Sequence, residues 1–185
     1  MGILRGSDIN DFLSGGIEDD IILGVVGNDT LLGRQGDDEV KGNSGDDLLF
    51  GNAGNDVLRG ASGNDNLNGG IGEDRLFGGN GNDVLFGGDD NDVLIGGSGK
   101  DTLVGGGGSD TFKVYFTSGH LSVIRDFEDG IDQIFLSNNK GFEDLEILQT
   151  SSGNLILNNS DGVNVGILVD TDISELDSSD FTNVI

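Results

Sequence analysis

Cysteine, proline and tryptophan are absent from the 185-residue sequence, and histidine occurs once. Without cysteine, neither a disulfide framework nor a thiolate metal site can form. The single histidine, His120, is too little for the imidazole-based sites that zinc and copper prefer, and we expect it to be a loop residue. Oxygen atoms are therefore the only abundant metal ligands in this chain.

Basic residues are scarce as well. Nine Lys and Arg stand against 34 Asp and Glu, which gives a formal net charge of −25, and 6% of the residues are aromatic. Nucleic acid and anionic membrane surfaces both attract basic proteins, so this balance argues against them and favours cations as partners. The same composition is typical of disordered chains, which is the alternative that any further pattern must exclude.

Two further kinds of signal are missing. Residues 1–6 contain no long apolar run, which predicts neither a cleavable signal peptide nor a membrane span, so we expect any export to follow another route. The motifs H-E-x-x-H, G-x-S-x-G and G-K-[ST] do not occur, and we expect no enzymatic activity. Adjacent acids such as Asp37 and Asp38 resemble an acid–base pair, but they recur with a fixed period that metal binding explains.

That period is nine residues. Twelve frames run from residue 6 to residue 113 without insertion or deletion, and each begins with Gly, has Asp at its sixth place and is apolar at its eighth. The fourth place is Gly in nine frames, the exceptions being Ile9, Glu18 and Asp90. A disordered acidic chain has no reason to keep such a register, so the period predicts a repeat protein whose frames stack on one another.

The places within a frame predict its conformation. The Gly-rich first half supplies tight turns, and places seven to nine form a very short strand whose middle side chain faces inward. Two frames then make one 18-residue coil, so aspartates 18 residues apart stack in two columns. One column holds Asp11, Asp29, Asp47, Asp65, Asp83 and Asp101; the other holds Asp20, Asp38, Asp56, Asp74, Asp92 and Asp110.

Stacked aspartates need positive charge between them. Neighbouring strands are about 4.8 Å apart, and two carboxylates at that distance repel by about 1 kcal/mol in water and more in a drier site. Calcium takes about 6–8 oxygen ligands in flexible geometry, whereas magnesium wants a strict octahedron and is the weaker candidate. Five gaps in each of two columns predict about ten calcium ions, which would bring the net charge from −25 to −5.

Glycine carbonyls are expected to complete the ligand sets. The glycines predicted to contribute lie at the first and fourth places of the frames: Gly24, Gly27, Gly33, Gly36, Gly42, Gly45, Gly51, Gly54, Gly60, Gly63, Gly69, Gly72, Gly78, Gly81, Gly87, Gly96, Gly99, Gly105 and Gly108. Twelve inward side chains are a thin core for so many ordered residues. We therefore expect the repeat region to be unfolded without calcium.

One intact frame, Gly78-Gly79-Asn80-Gly81-Asn82-Asp83-Val84-Leu85-Phe86, resembles the RTX family of calcium-binding nonapeptide repeats. The resemblance covers 108 of the 185 residues. It implies an all-β fold, a right-handed parallel β-roll, with calcium as the cofactor. Many RTX proteins attach such a roll to proteases, lipases or polysaccharide-modifying domains, so the chain as the C-terminal module of a larger secreted enzyme or adhesin is an open alternative.

Residues 114–185 leave the register and are expected to form a β-rich C-terminal cap, with strands at 121–125, 131–136, 154–158 and 163–169. The segment 124–137 resembles the block that follows RTX repeats in type I secreted proteins. It implies one further calcium site, at Asp126, Asp129 and Asp132, for which a solvated acidic turn is the alternative.

Residues 180–185 resemble the end of an uncleaved type I secretion signal. This resemblance agrees with the missing N-terminal signal peptide. We therefore expect an extracellular protein of a Gram-negative-type bacterium.

The outward ninth places differ between alternate frames. In the even frames three cations interrupt the apolar residues, whereas in the odd frames Leu32, Phe50, Phe86 and Val104 predict one apolar surface patch. We expect the tail, a second copy of the chain, or a protein or polysaccharide partner to cover it. Strand-forming residues tolerated on a surface are the alternative.

Overall fold

The structure is a computed structural model that describes residues 1–115, 119–137, 142–151, 154–158, 162, 164–169 and 176–182. It is an all-β parallel solenoid of about seven turns, which confirms the predicted fold class. Helical residues in the described ranges are confined to two 3₁₀ turns, Phe142–Asp144 and Ser178–Asp180. No helix in those ranges is long and apolar enough to cross a membrane.

Short strands follow one another along the chain. Their bounds are β1 (Ile3–Arg5), β2 (Phe12–Ser14), β3 (Ile21–Val26), β4 (Thr30–Gln35), β5 (Glu39–Ser44), β6 (Leu48–Ala53), β7 (Val57–Ser62), β8 (Asn66–Ile71), β9 (Arg75–Asn80), β10 (Val84–Asp89), β11 (Val93–Gly107), β12 (Thr111–Val114), β13 (His120–Ile124), β14 (Gln133–Leu136), β15 (Glu146–Gln149), β16 (Leu155–Asn158), β17 (Asn164–Leu168) and β18 (Phe181–Thr182).

Strands of alternate frames pair in parallel and form two sheets. The even sheet contains β1, β3, β5, β7, β9, the first part of β11, β12, β14 and β18. The odd sheet contains β2, β4, β6, β8, β10, the second part of β11, β13 and β17. Within the repeats each residue pairs with the residue 18 positions later, as Leu58 does with Leu76. The predicted 18-residue coil is therefore confirmed.

Most repeat strands are six residues long, so the prediction of three-residue strands was wrong. Strand β7, for example, joins places seven to nine of one frame, Val57 to Arg59, to places one to three of the next, Gly60 to Ser62. Leu58 and Gly60 are the two buried positions in this strand. The strand stays extended past the glycine because that inward position has no Cβ to collide with the adjacent aspartate.

The core is a single file of eighth-place side chains between the two sheets. From Ile22 to Phe112 every one of these side chains has an exposed fraction of 0%, and Leu13 packs partly buried against them. Their inward direction is thus confirmed. Because alternation along a strand turns the seventh and ninth side chains the other way, the outer surface of each sheet is set by those two places.

The parallel pairing continues beyond residue 113. Strand β14 pairs with β12 and β18 with β14, while β13 pairs with β11 and β17 with β13. Strands β15, β16 and β17 then pair antiparallel at the end of the odd sheet. All four predicted tail strands have counterparts, whereas β15 was not predicted. The division of the chain at residue 113 stays a prediction.

Candidate metal centre

The sixth-place aspartates stack as two buried columns. From Asp29 to Asp110 each has an exposed fraction of 2% or less. Within a column, the backbone amide of each aspartate donates to Oδ1 of the aspartate 18 residues later, as Asp47 N does to Asp65 Oδ1 at 2.9 Å. The same bond, 2.7–3.0 Å long, joins every neighbouring pair in both columns.

The second carboxylate oxygen is left without such a partner. In nine aspartates Oδ2 is buried and has no hydrogen-bond partner among the described residues: Asp29, Asp38, Asp47, Asp56, Asp65, Asp74, Asp83, Asp92 and Asp101. A buried carboxylate oxygen without a partner costs free energy, more so when the group is charged. A regular row of such oxygens is the arrangement that a row of cations would stabilise.

At six first-place glycines a carbonyl oxygen and the buried Oδ2 of an aspartate approach the same point: Gly24, Gly33, Gly51, Gly69, Gly78 and Gly87. A Cβ added to Gly24 would overlap Asp29 Oδ2 and would lie 2.8 Å from the carbonyl oxygen of Gly42 in the next coil. A Cβ on Gly51 would overlap Asp56 Oδ2 in the same way. The first-place glycines thus leave room for carboxylate and carbonyl oxygens to converge. Calcium prefers this donor set, so the residues present fit calcium.

The fourth-place glycines serve a different purpose. Gly63 has φ +133°, in the range that favours glycine, and an added Cβ would overlap the carbonyl oxygen of Gly45 in the preceding coil. Gly81 stands in the same relation to Gly63. Glycine is therefore needed here for close stacking of successive turns. That the carbonyls of the first- and fourth-place glycines bind metal stays a prediction.

A second ladder runs along the fifth places and was not predicted. The side-chain oxygen of Asn28 accepts the backbone amide of Asp46 at 3.0 Å, and Asp46 Oδ1 accepts the amide of Asn64 at 2.7 Å. This ladder points in the opposite direction to the sixth-place ladder. Asn or Asp at the fifth place in nine of twelve frames was the signal. Fifth-place acids are thus used in this ladder, whereas the sequence analysis assigned them to metal binding.

Burial perturbs the titration of the columns. It raises the pKa of Asp56 to about 6, of Asp74 to about 7 and of Asp92 to about 8. The donated backbone amide lowers each pKa in part, and the negative charge of neighbouring column members raises it again. Without a cation, the columns therefore hold protons up to near-neutral pH.

Backbone amides close the ends of the columns. Asp11 Oδ2 accepts the amide of Ser7 at 2.7 Å, and Asp20 Oδ2 accepts the amide of Gly16 at 2.9 Å. At the other end Asp132 extends the even column, because its Oδ1 accepts the amide of Asp110 at 2.9 Å although 22 residues separate the two. Its Oδ2 accepts the amide of Glu128 at 2.9 Å.

The three aspartates predicted to bind a further calcium lie in different surroundings. Asp126 accepts the amides of Gly105 and Gly106 at 3.0 and 2.9 Å, Asp132 is buried at the end of the even column, and Asp129 is exposed. Within the described ranges no group of three or more acidic or histidine side chains is placed to hold a metal ion. Any ligand set must therefore rely on carbonyl oxygens, and the further site stays a prediction.

His120 lies in a strand, so its prediction as a loop residue was wrong. It is the first residue of β13, and its Nε2 lies 3.2 Å from Ser98 Oγ. Its ring centroid is 4.9 Å from that of Tyr115. Parallel pairing of β13 with β11 places His120 opposite Gly99, at the end of the repeats.

Comparison with known proteins agrees with the repeat pattern. A family model described as the RTX calcium-binding nonapeptide repeat matches in four copies, at residues 5–40, 23–58, 41–76 and 77–112. No curated protein sequence matches the chain.

Two solved structures resemble it at low identity. The extracellular lipase LipA from Serratia marcescens is 18% identical with a TM-score of 0.40, and the alignment covers 98% of this chain and 40% of the lipase. A subunit of the Azotobacter vinelandii mannuronan C5-epimerase is 22% identical with a TM-score of 0.38, over 97% of this chain and 81% of that one. The chain thus spans less than half the length of the lipase.

Proposed function

The chain belongs to the family of RTX calcium-binding nonapeptide-repeat proteins, because the four matches extend over residues 5–112, more than half of the sequence. We propose that its repeat region folds into the β-roll on binding calcium. One observation carries the proposal. Nine aspartates in two regular columns each bury a carboxylate oxygen that has no hydrogen-bond partner among the described residues. Calcium supplies the positive charge that such oxygens require.

The ligands in this proposal come from two successive coils. Asp29 Oδ2 and the carbonyl oxygen of Gly42 approach the same glycine, Gly24, and represent the arrangement of the other gaps. Six aspartates per column leave five gaps, so two columns would take about ten ions. Each ion would join two coils and remove the repulsion between their carboxylates. Fourth-place carbonyls would complete the ligand sets.

The role that follows is structural or binding, without catalysis by the roll itself. The aspartates at its fifth and sixth places are committed to the two backbone ladders, as Asp46 and Asp47 illustrate. A catalytic domain elsewhere in a larger secreted enzyme or adhesin is compatible with this role, since the chain would then be the C-terminal module of that protein.

Calcium-dependent folding also suits export of the chain in an unfolded state. Inside a bacterium low calcium would leave the acidic chain unfolded and able to pass a type I secretion channel. Outside, dissociation constants of about 0.1–1 mM, as in other extracellular modules, would let it fold. Segment 124–137 and the C-terminal residues 180–185, of which 183–185 lie outside the described residues, are proposed to be read by that route.

Calorimetric titration with calcium, followed in parallel by far-UV circular dichroism, tests the proposal. We expect mostly coil in chelator, recovery of the β signal in millimolar calcium, and no recovery in magnesium. A chain that is fully folded in chelator would overturn calcium-dependent folding. Sub-micromolar affinity at most sites would leave calcium binding intact but contradict folding after export.

The outer surface of the odd sheet is a second proposed binding site, for a partner of the folded roll. Its outward seventh and ninth places between Phe12 and Val104 carry no charged residue, and Phe86 keeps an exposed fraction of 37%. The described tail strands β13 and β17 extend this sheet at its end, and packing of the tail on its face stays a prediction. A second copy, a protein or a polysaccharide remains the proposed occupant. Light scattering and dye binding on the double variant Phe50→Ser/Phe86→Ser test it, and unchanged values would overturn it.

A further inference from the structure

Positive charge is concentrated on one surface of this acidic protein. The outward seventh and ninth places of the even sheet, from Ile3 to Lys113, contain a single acid, Glu39. They also contain five of the nine basic residues: Arg5, Lys41, Arg59, Arg75 and Lys113. We call this surface the cationic face.

Two of these cations rest on aromatic rings. The guanidinium carbon of Arg59 lies 4.6 Å from the ring centroid of Phe77. Lys113 Nζ lies 5.3 Å from the ring of Tyr115 and 5.1 Å from that of Phe135. Lys41 pairs with Glu39, but no ion pair among the described residues involves Arg59 or Lys113. Both charges are therefore held in place. Arg59 also acts on Glu39, whose pKa it helps Lys41 to lower, and its Nη1 is buried, so Lys113 is the more accessible of the two cations.

Between these two cation–ring pairs lies a pocket of about 310 Å³. Its apolar walls are Phe77, Ile95 and Tyr115, and its polar groups include Asn80, Ser98 and His120. The 3.2 Å contact of Ser98 Oγ with His120 Nε2, and the ring of His120 tilted by 37° against that of Tyr115, place the polar groups beside an aromatic ring. The pocket combines an aromatic surface, hydrogen-bonding side chains and flanking positive charge.

This combination selects among anionic ligands. Strands β9 and β11 pair with each other along the pocket, as Phe77 does with Ile95, so no free sheet edge can take up a peptide strand. Exposed fifth-place acids in the turns beside the sheet, such as Asp19 and Asp37, would repel a broad anionic surface such as a membrane, whereas a narrow chain would avoid them. Aromatic walls pack against the C–H face of a sugar ring, and hydroxyls bond to serine, histidine and asparagine.

The geometry points to an acidic saccharide as the ligand: a sugar ring lies against Phe77 and Tyr115, and its carboxylate, or that of the next unit, is bound by Arg59 or Lys113. The inference rests on the proposed function only in requiring the calcium-folded roll. Because the pocket is open to solvent and Lys113 is only partly buried, salt weakens the interaction.

Isothermal titration of the calcium-loaded chain with trigalacturonate tests the inference, with neutral maltotriose as the comparison ligand. The short oligomer avoids the gels that calcium forms with long polyuronates. Lys113→Gln is expected to weaken trigalacturonate binding about threefold to tenfold, in the range of one exposed ion pair or somewhat more. Arg34→Gln, which removes an exposed cation from β4 in the odd sheet, leaves it unchanged.

A second pair of variants separates the aromatic wall from general surface effects. Phe77→Leu and Leu23→Ala change the same ninth place of the even sheet, in β9 beside the pocket and in β3 three strands away. We expect only Phe77→Leu to weaken binding. Equal binding of maltotriose, equal effects of Lys113→Gln and Arg34→Gln, or no binding by a wild-type chain that folds in calcium overturns the inference. A wild-type chain whose circular dichroism does not respond to calcium overturns the proposed function itself.

Discussion

The amide of Asp47 donates to Asp65 Oδ1 at 2.9 Å, while Asp65 Oδ2 is buried and has no hydrogen-bond partner among the described residues. One carboxylate therefore has two tasks. Oδ1 holds the preceding coil through a backbone hydrogen bond, and Oδ2 faces the carbonyl-lined space that we assign to calcium. Because the two tasks use different atoms, substitutions can separate them.

Asp65→Asn and Asp65→Ala should differ for this reason. Asparagine keeps an oxygen that accepts the Asp47 amide but removes the charge, whereas alanine also leaves that buried amide unpaired, at a cost of about 1–3 kcal/mol. Thermal unfolding across a calcium titration should show weaker calcium stabilisation for both variants. The alanine variant should in addition be less stable at saturating calcium. Identical curves for the two variants would contradict a separate role for Oδ1.

Position within a column should matter as well. Asp65 borders two gaps, with Asp47 and Asp83, whereas Asp11 begins its column and its Oδ2 already accepts the amide of Ser7. Asp11→Ala should therefore cost about half as many calcium ions as Asp65→Ala, with a smaller loss of calcium-dependent stability. Calorimetric stoichiometry measures the difference. Equal losses would argue against ions shared between neighbouring aspartates.

The period of the sequence predicted most of the repeat architecture. A Gly, an Asp and an apolar residue at fixed places were enough to assign the coil length, the two columns and the buried file that includes Leu58. The strand length was missed because glycine-rich segments normally indicate turns, whereas Gly60 continues β7. The fifth-place ladder was missed because adjacent acids at the same turn were assigned one common function.

The tail was less predictable because its strands continue the solenoid although its sequence no longer keeps the nine-residue period. Alternating apolar residues located β13, β14, β16 and β17, but alternation does not say which strand pairs with which. Asp132 is the clearest case, since it continues the even column at a spacing of 22 residues. A search for an 18-residue interval cannot find it.

Acid should stabilise the calcium-free roll. Burial raises the pKa of Asp74 to about 7 and of Asp92 to about 8 in the folded chain, against an ordinary value of about 3.9 when unfolded. The folded state therefore binds more protons, and this contribution to stability is complete below about pH 4 and is lost as the pH rises through about 6–8.

In chelator, circular dichroism should accordingly show more β structure at about pH 5.5 than at about pH 8. Calcium affinity should fall over the same interval because protons compete for the same carboxylates. Light scattering must accompany the measurement, since the sequence has a pI of about 4.1 and solubility falls near that value. A calcium-free chain whose β content does not change with pH would be inconsistent with protonated columns.

A side chain at the fourth-place glycine Gly63 should disturb the stacking of successive coils. Gly63→Ala places a methyl group against the carbonyl oxygen of Gly45 at φ +133°, and the overlap should cost about 1–3 kcal/mol. Two residues earlier Ala61 already adopts φ +87°, so Ala61→Gly should be neutral or stabilise by up to about 1 kcal/mol. Chemical unfolding in saturating calcium compares the two variants. A Gly63→Ala chain as stable as wild type would show that successive coils are not tightly stacked there.

The last prediction concerns how the tail joins the roll. Asp132 is buried and accepts the amides of Asp110 and Glu128, so it links the final repeat to the segment that follows β13. Asp132→Ala leaves both amides without their acceptor. Because Asp110 lies on the roll and Glu128 on the tail, the segment between β13 and β14 should open more often.

Trypsin cleavage after Arg125 reports on this opening. Arg125 is exposed, and its amide donates to the carbonyl oxygen of Leu103 at 3.1 Å, so cleavage requires local release from β11. In saturating calcium Asp132→Ala should be cut there faster than wild type, as measured by mass spectrometry of the fragments. The matched control is Glu128→Ala, which removes an exposed carboxylate four residues away and keeps the Glu128 amide that Asp132 accepts. If both variants are cut at the wild-type rate, Asp132 does not hold the tail; if both are cut faster, the loss of acidic charge in this turn is responsible and the ladder bond is not.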